Sequence, residues 1–222
     1  VHRRCGGVAV HRPPHPVGSL RPRSADRRSG RTGGLAGFHR RPLADPPELT
    51  CRRSTSTATP DEWIILGSHY DAWGFGATDP NSGTAMLLNL SETLGKLMQQ
   101  GIQPKRSIMI AHWDAEEHGV IGSSEWVEQM RDELKAKGIA YMNFDGGVSG
   151  KNFGASAAPT LKKLVMEASK KVNYPYTDQN LFDFWKKDNI DQPKIGNLGG
   201  GSDHIAFYMH VGVPSMSGGA GG

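Results

Sequence analysis

Three short runs in this chain are apolar at nearly every position: "EWIILG" at 62–67, "RSIMIAHW" at 106–113 and "IAYMNFD" at 139–145. Strands of that composition bury both faces, and such strands belong to parallel sheets covered by helices. The stretches between them carry the helices. "NSGTAMLLNLSETLGKLMQQG" (81–101) lines up Met86, Leu87, Leu90, Leu94, Leu97 and Met98 at helical spacing, with Asn81 or Ser82 as its cap and Gly101 past its end. "GSSEWVEQMRDELKAKG" (122–138) reads as a second helix, closed by Gly138. "APTLKKLVMEASKKV" (158–172) is a third and "SDHIAFYMH" (202–210) a short fourth, before a last strand "GVPSMS" (212–217). Alternation of strand and helix predicts an α/β domain: a three-layer αβα sandwich around a mostly parallel sheet.

In such sheets sites form at the carboxyl ends of the strands. There the chain concentrates its charge. "GSHYDAWGFGATDPNSGT" puts His69, Asp71 and Asp79 after the first strand. "DAEEHG" puts Asp114, Glu116 and Glu117 after the second, and "NFDGG" puts Asp145 after the third. Carboxylates crowded in a half-buried cleft raise one another's pKa, and a multivalent cation removes that repulsion. One histidine and several carboxylates, without cysteine, suit Zn²⁺ in a hydrolytic site.

Composition divides the chain near residue 60. Residues 1–59 hold twelve arginines, no lysine and three acids; residues 60–222 hold two arginines, twelve lysines and nineteen acids. The overall charge of +4 is therefore a property of the first quarter. That segment is dense in Arg, Pro and Gly and has Phe38 as its one aromatic, so it cannot bury enough apolar surface to offset chain entropy. It reads as disordered or not natively coded, ahead of a basic nucleic-acid arm or a transit peptide. Residues 60–222 form the second unit. Both cysteines, Cys5 and Cys51, lie in the first, so the second has no disulfide framework. No run of about 18 apolar residues spans a membrane. "DGGVSGKN" fails as a phosphate loop, because Asp145 stands where the first glycine belongs and Asn152 follows Lys151. No Gly-x-Ser-x-Gly elbow occurs.

The segments "GSHYDAWGFGATDPNSGTA", "HWDAEEHGVIGSSEWVE", "YMNFDGG" and "LGGGSDHIAFY", in this order, resemble the zinc exopeptidases of the glutamate carboxypeptidase II and transferrin-receptor family, and more distantly the bacterial leucyl aminopeptidases. The resemblance covers roughly residues 60 to 217. It implies the zinc exopeptidase (phosphorylase/hydrolase-like) fold and two Zn²⁺ ions. Asp79 would bridge them, His69 and Asp145 would complete the shell of one, and Glu117 would bind the other. Glu116 would be the general base. Asp71 would accept the second imidazole N–H and fix the tautomer. Gly201, Ser202 and Asp203 would line the substrate or support the ligands. The Asp79–Pro80 bond would be cis. Glu125 and Glu128, three apart on one helix face, would supply two oxygens to a Ca²⁺ ion, or are ordinary acids near a helix start.

The resemblance further implies a peptide substrate, cleaved as an aminopeptidase or a carboxypeptidase, in an extracellular or periplasmic setting. No signal peptide marks the chain. A non-catalytic, transferrin-receptor-like binding protein is the alternative. The family's second-zinc histidine would fall beyond Gly222, and His204 and His210 are not promoted in its place. The apical and C-terminal dimerisation domains are not recognisable, so the chain reads as a C-terminally truncated piece of a homodimeric enzyme. Arg106 and Arg131, the two arginines after residue 59, lie away from the predicted strand ends, which favours a neutral or apolar substrate side chain.

Overall fold

A computed structural model describes residues 52–54, 58–175, 177–186 and 191–222. The reading of residues 1–51 lies outside the described residues. The elements run β1 (Arg52–Ser54), β2 (Thr59–His69), α1 (Asn81–Gln99), β3 (Arg106–Trp113), α2 (Ile121–Gln129), α3 (Arg131–Lys137), β4 (Gly138–Asn143), β5 (Asn152–Ala157), α4 (Pro159–Ser169), α5 (Leu181–Lys186), a π-helix (Ala206–His210) and β6 (Ser215–Gly221). The strands form one sheet in the order β1-β3-β2-β4-β6-β5. The inner four are parallel, and β1 and β5 close the two edges antiparallel. β2 is central: its carboxyl half aligns Gly67 with Ala111 of β3 on one side and Asn143 of β4 on the other.

The period-2 alternation of the strands sorts their side chains into two cores. One face gathers Trp63, Ile65, Met109, Ala111, Trp113 and Tyr141 against Trp126 and Val127 of α2, Leu134 of α3 and Phe207 of the π-helix. Aromatic rings dominate it. Tyr141 stacks on Phe207 at 3.9 Å between centroids, and Trp113 lies tilted 5.3 Å from Trp126. The other face packs Leu66 and Ile110 under Leu87 of α1, and Ala140, Ala157 and Met216 under Leu161 and Val165 of α4. Helices thus cover both faces, as the alternation predicts.

Several details depart from the expectations, among them β5 and α5, which the reading did not foresee. The helix expected over 122–138 is two, because Met130 takes φ −98° and ψ 17°. The bend keeps both Val127 and Leu134 against the sheet, with Met130 packed on the aromatic core. Neither Asn81 nor Ser82 caps α1; Pro80 holds that position. The Asn81 amide donates to the Phe75 carbonyl at 2.9 Å and the Ser82 hydroxyl to that of Thr78, so both tie the preceding loop instead. The last strand starts at Ser215 and runs on through the glycine-rich end to Gly221, paired with β5. β1 draws three residues of the segment read as unstructured into the sheet. Gly101 does follow α1 with φ +82°, and Ile102 N–H returns to the Leu97 carbonyl at 3.0 Å. Among the described residues no helix is long and apolar enough to cross a membrane.

Candidate metal centre

His69 ends β2 fully inside the sheet, where burial alone would favour a neutral ring. Its Nδ1 lies 2.9 Å from the Asp71 carbonyl, and its Nε2 faces Asp79 Oδ1 at 3.0 Å and Glu116 Oε2 at 3.9 Å. The Asp71 carboxylate is farther from Nδ1, at 3.4 Å. It accepts instead the backbone N–H groups of Glu116 and Glu117, at 3.0 and 3.1 Å. The backbone of Asp71 therefore orients the imidazole, and its side chain holds the Glu116–Glu117 turn.

That turn is stored in unusual backbone. Ala115 and Val120 sit at φ +55° and +60° on either side of it, a region costly for residues with a Cβ and worst for a β-branched one. Hydrogen bonds from Val120 N–H to the Glu116 carbonyl (2.8 Å) and from Ile121 N–H to that of Ala115 (3.1 Å) hold it closed.

Asp145 follows β4. Its Oδ1 accepts from Asn143 Nδ2 at 2.9 Å and its Oδ2 from the Ser202 hydroxyl at 2.5 Å. The start of α1 reaches this loop because Gly83 has no side chain; a Cβ there would collide with the Phe144 and Asp145 carbonyls. The Asp79–Pro80 bond, one turn before, is cis. Donor atoms of His69, Glu116 and Asp145 all lie within 4.8 Å of one another.

The electrostatics follow from that crowding. Burial pushes Glu116 up to about 7; the Asp145, Glu117 and Asp71 carboxylates add to this and His69 opposes it. For His69 burial acts downward, yet Asp145, the Asp71 carbonyl, Glu116 and Asp203 outweigh it and raise the ring above its ordinary range. Asp203, fully buried behind them, is also pushed up to about 7, chiefly by burial and against the Ser123 hydroxyl. One imidazole proton cannot balance these carboxylates. The donor set, one imidazole and several hard oxygens, fits a divalent cation of the zinc type.

The sequence-expected residues are thus brought together unevenly. His69, Glu116 and Asp145 form the donor cluster, and Asp79 touches it through His69. Glu116, expected as base, lies inside the cluster; Glu117, expected as ligand, lies outside it among the described residues. Ser202 is bonded to Asp145, and Gly201 before it takes φ +92°. Glu125 and Glu128 are exposed on α2, apart from the cluster. Arg106 pairs with Glu62 at 2.6 Å at the amino end of β3, away from the site, as expected.

Sequence reading missed two groups. Tyr141 and Asn143 share with Asp145 the alternate positions of β4 and its exit, a period-2 signal that points all three the same way. Tyr70, Trp73 and Phe75 are exposed aromatics on the segment between His69 and Asp79, with Trp73 5.0 Å from the His118 ring.

The comparisons with known proteins bear on this geometry. The description Peptidase family M28 matches residues 51–220. A probable glutamate carboxypeptidase of Arabidopsis thaliana (LAMP1) is 47% identical over 160 residues, covering 71% of this chain and 23% of that protein. The aminopeptidase NAALADL1 of Mus musculus is 38% identical over 167 residues, covering 71% and 22%. The chain thus spans less than a quarter of the length of these relatives. Among solved structures, a zinc aminopeptidase from Bacillus subtilis superposes with a TM-score of 0.57 at 20% identity, covering 76% of this chain and 39% of that one. A peptidase M28 precursor from Shewanella amazonensis gives 0.54 at 23% identity, covering 75% and 34%. With a family match across its whole ordered sheet and the acidic cluster at the carboxyl ends of that sheet, the chain belongs to Peptidase family M28.

Proposed function

We propose that residues 60–222 are the metal-binding part of a zinc exopeptidase catalytic domain that hydrolyses terminal peptide bonds. The observation that carries this is the convergence of His69, Glu116 and Asp145 within 4.8 Å. A carboxylate held in that cluster takes a proton and gives it back, which is the behaviour hydrolysis requires. His69 and Asp145 would hold one Zn²⁺, Glu117 a second, and Asp79 would bridge them. Zinc, when bound, supplies Lewis acidity and lowers the pKa of water towards 7. Glu116 then receives the proton of the attacking water on its carboxylate and delivers it to the leaving amine. Asp71 keeps Glu116 and Glu117 aimed through their backbone N–H groups.

The relatives carry both names, glutamate carboxypeptidase and aminopeptidase, so both ends of a peptide remain open as the point of attack. The exposed aromatics Tyr70, Trp73 and Phe75 and the distance of Arg106 favour an apolar side chain there. Glu125 and Glu128 would give two of the six to eight oxygens of a Ca²⁺ site completed elsewhere in the full-length protein, which would act as a homodimer. Metal titration tests the core of this reading. Wild type binds zinc, Asp145→Ala and Glu117→Ala lose it, and Glu116→Gln keeps it while hydrolysis stops. Zinc binding with normal turnover in Glu116→Gln would remove the base from the scheme.

A further inference from the structure

We propose that Trp113, Tyr141, Asn143 and Ser202 form a one-way chain of hydrogen-bond donors that fixes the Asp145 carboxylate for its cation, with Tyr141 and Asn143 as positioning residues. The inference rests on the metal-binding reading above.

The chain starts at a group that can only donate and ends at one that only accepts. The Trp113 indole N–H points at Tyr141 Oη, 2.9 Å away. Tyr141 Oη is thereby an acceptor on that side, and its own proton goes to Asn143 Oδ1 at 2.9 Å. This contact decides which end of the amide is oxygen. The Asn143 Nδ2 hydrogens then face outward, one to Asp145 Oδ1 at 2.9 Å and one to Ser202 Oγ at 2.8 Å. Ser202, already accepting, gives its proton to Asp145 Oδ2 at 2.5 Å. Each carboxylate oxygen so receives one donor. These two donors fix the plane in which its remaining lone pairs lie.

Nothing loosens this chain from outside. Trp113, Tyr141 and Asn143 are fully buried. Burial, reinforced by Asp203, holds the Tyr141 phenol well above its ordinary range, so it keeps the proton it donates. The sheet is built around the contact: a side chain at Gly67 would collide with both Tyr141 Oη and Trp113 Nε1. Packing and wiring are also separable. The Tyr141 ring lies flat on Phe207, so Tyr141→Phe deletes the hydroxyl and leaves the stack.

The test is zinc affinity of the full chain, measured by competition with a chelating indicator, beside thermal unfolding without metal. Tyr141→Phe weakens zinc about 10-fold and Asn143→Asp, which turns an acceptor towards Asp145, about 100-fold, the range seen when groups supporting a metal ligand are removed. Leu161→Ala, in the core on the opposite face of the sheet, lowers the unfolding temperature and leaves affinity unchanged. Wild-type affinity in Tyr141→Phe overturns the proposal while the metal-binding reading stands. A loss in Leu161→Ala equal to that in Tyr141→Phe overturns it too, because the effect is then general destabilisation. A wild-type chain that binds no zinc overturns both. If Asn143→Asp does not fold, Tyr141→Phe decides alone.

Discussion

Asp145 and Asp79 both lie near the His69 imidazole, and they are built differently. Asp145 takes one hydrogen bond on each oxygen, from Asn143 of β4 and from buried Ser202. Asp79 has a side chain 62% exposed and one contact, His69 Nε2 at 3.0 Å. It stands at the end of a loop that exposes Trp73 by 73% and Phe75 completely. One wall of the site is set by folding alone. The other rests on a single contact made by an exposed side chain, among the described residues.

Four measurements sharpen or break that contrast. The largest effect belongs to the chemistry between the walls. Glu116→Gln in the full-length enzyme should cut kcat by about 10²–10⁴-fold, the contribution of a positioned base, with zinc content unchanged. A smaller loss would make Glu116 a spectator. Next is stability without metal. Ser202→Ala strips a donor from half-buried Asp145 and an acceptor from buried Asn143, and should cost about 1–3 kcal/mol. Asp79→Ala, on the open side, should cost under about 1 kcal/mol, as exposed pairs do. Equal losses in denaturant titrations would erase the distinction.

The third measurement uses pH. Glu116 and Asp203, both raised to about 7, hold protons in the folded chain that the unfolded chain has released. His69, also raised, does the same above its ordinary value. All three contributions are full at acid pH and are lost as pH rises, so metal-free stability should fall between about pH 5 and 8. Zinc should reverse the trend by displacing those protons. A metal-free stability that climbs across this window would show that the carboxylates are not crowded as described. The smallest effect is at the exposed aromatics. Trp73→Ala should move stability by no more than about 0.5 kcal/mol, as exposed substitutions do, and should raise KM for substrates with apolar side chains. An unchanged KM would detach Trp73 from substrate.

How much of this was legible in the sequence follows the same division. The parallel strands announced themselves because both their faces are buried, which leaves unbroken apolar runs at 108–111 and 139–142. β5 and the far half of β6 did not, because "NFGASA" and "SGGAGG" carry few large apolar side chains and show no strand alternation. His69, Glu116 and Asp145 were readable as strand-end polar residues. The support for Asp145 was only half readable. Asn143 lies two residues away, on the same face by alternation. Ser202 lies 57 residues on, and only the parallel crossover brings it back. The bend at Met130 left no mark, since "WVEQMRDEL" keeps helical spacing through it.

The central place of β2 has a kinetic consequence. The site draws on β2, on the turn after β3 and on the exit of β4, and each neighbour is reached by a long parallel crossover. Asp71 meets Glu116 across 45 residues and Asn143 meets Ser202 across 59. Contacts of that span form late, because loop closure must be met before they return anything. The donor cluster is therefore expected to be complete only once the inner sheet has closed. An ion that binds this cluster binds the native state alone, and at 100 times its Kd it adds about 2.7 kcal/mol to stability. Zinc concentration would then act as a clock for the last step of folding, visible as slower unfolding rather than faster refolding.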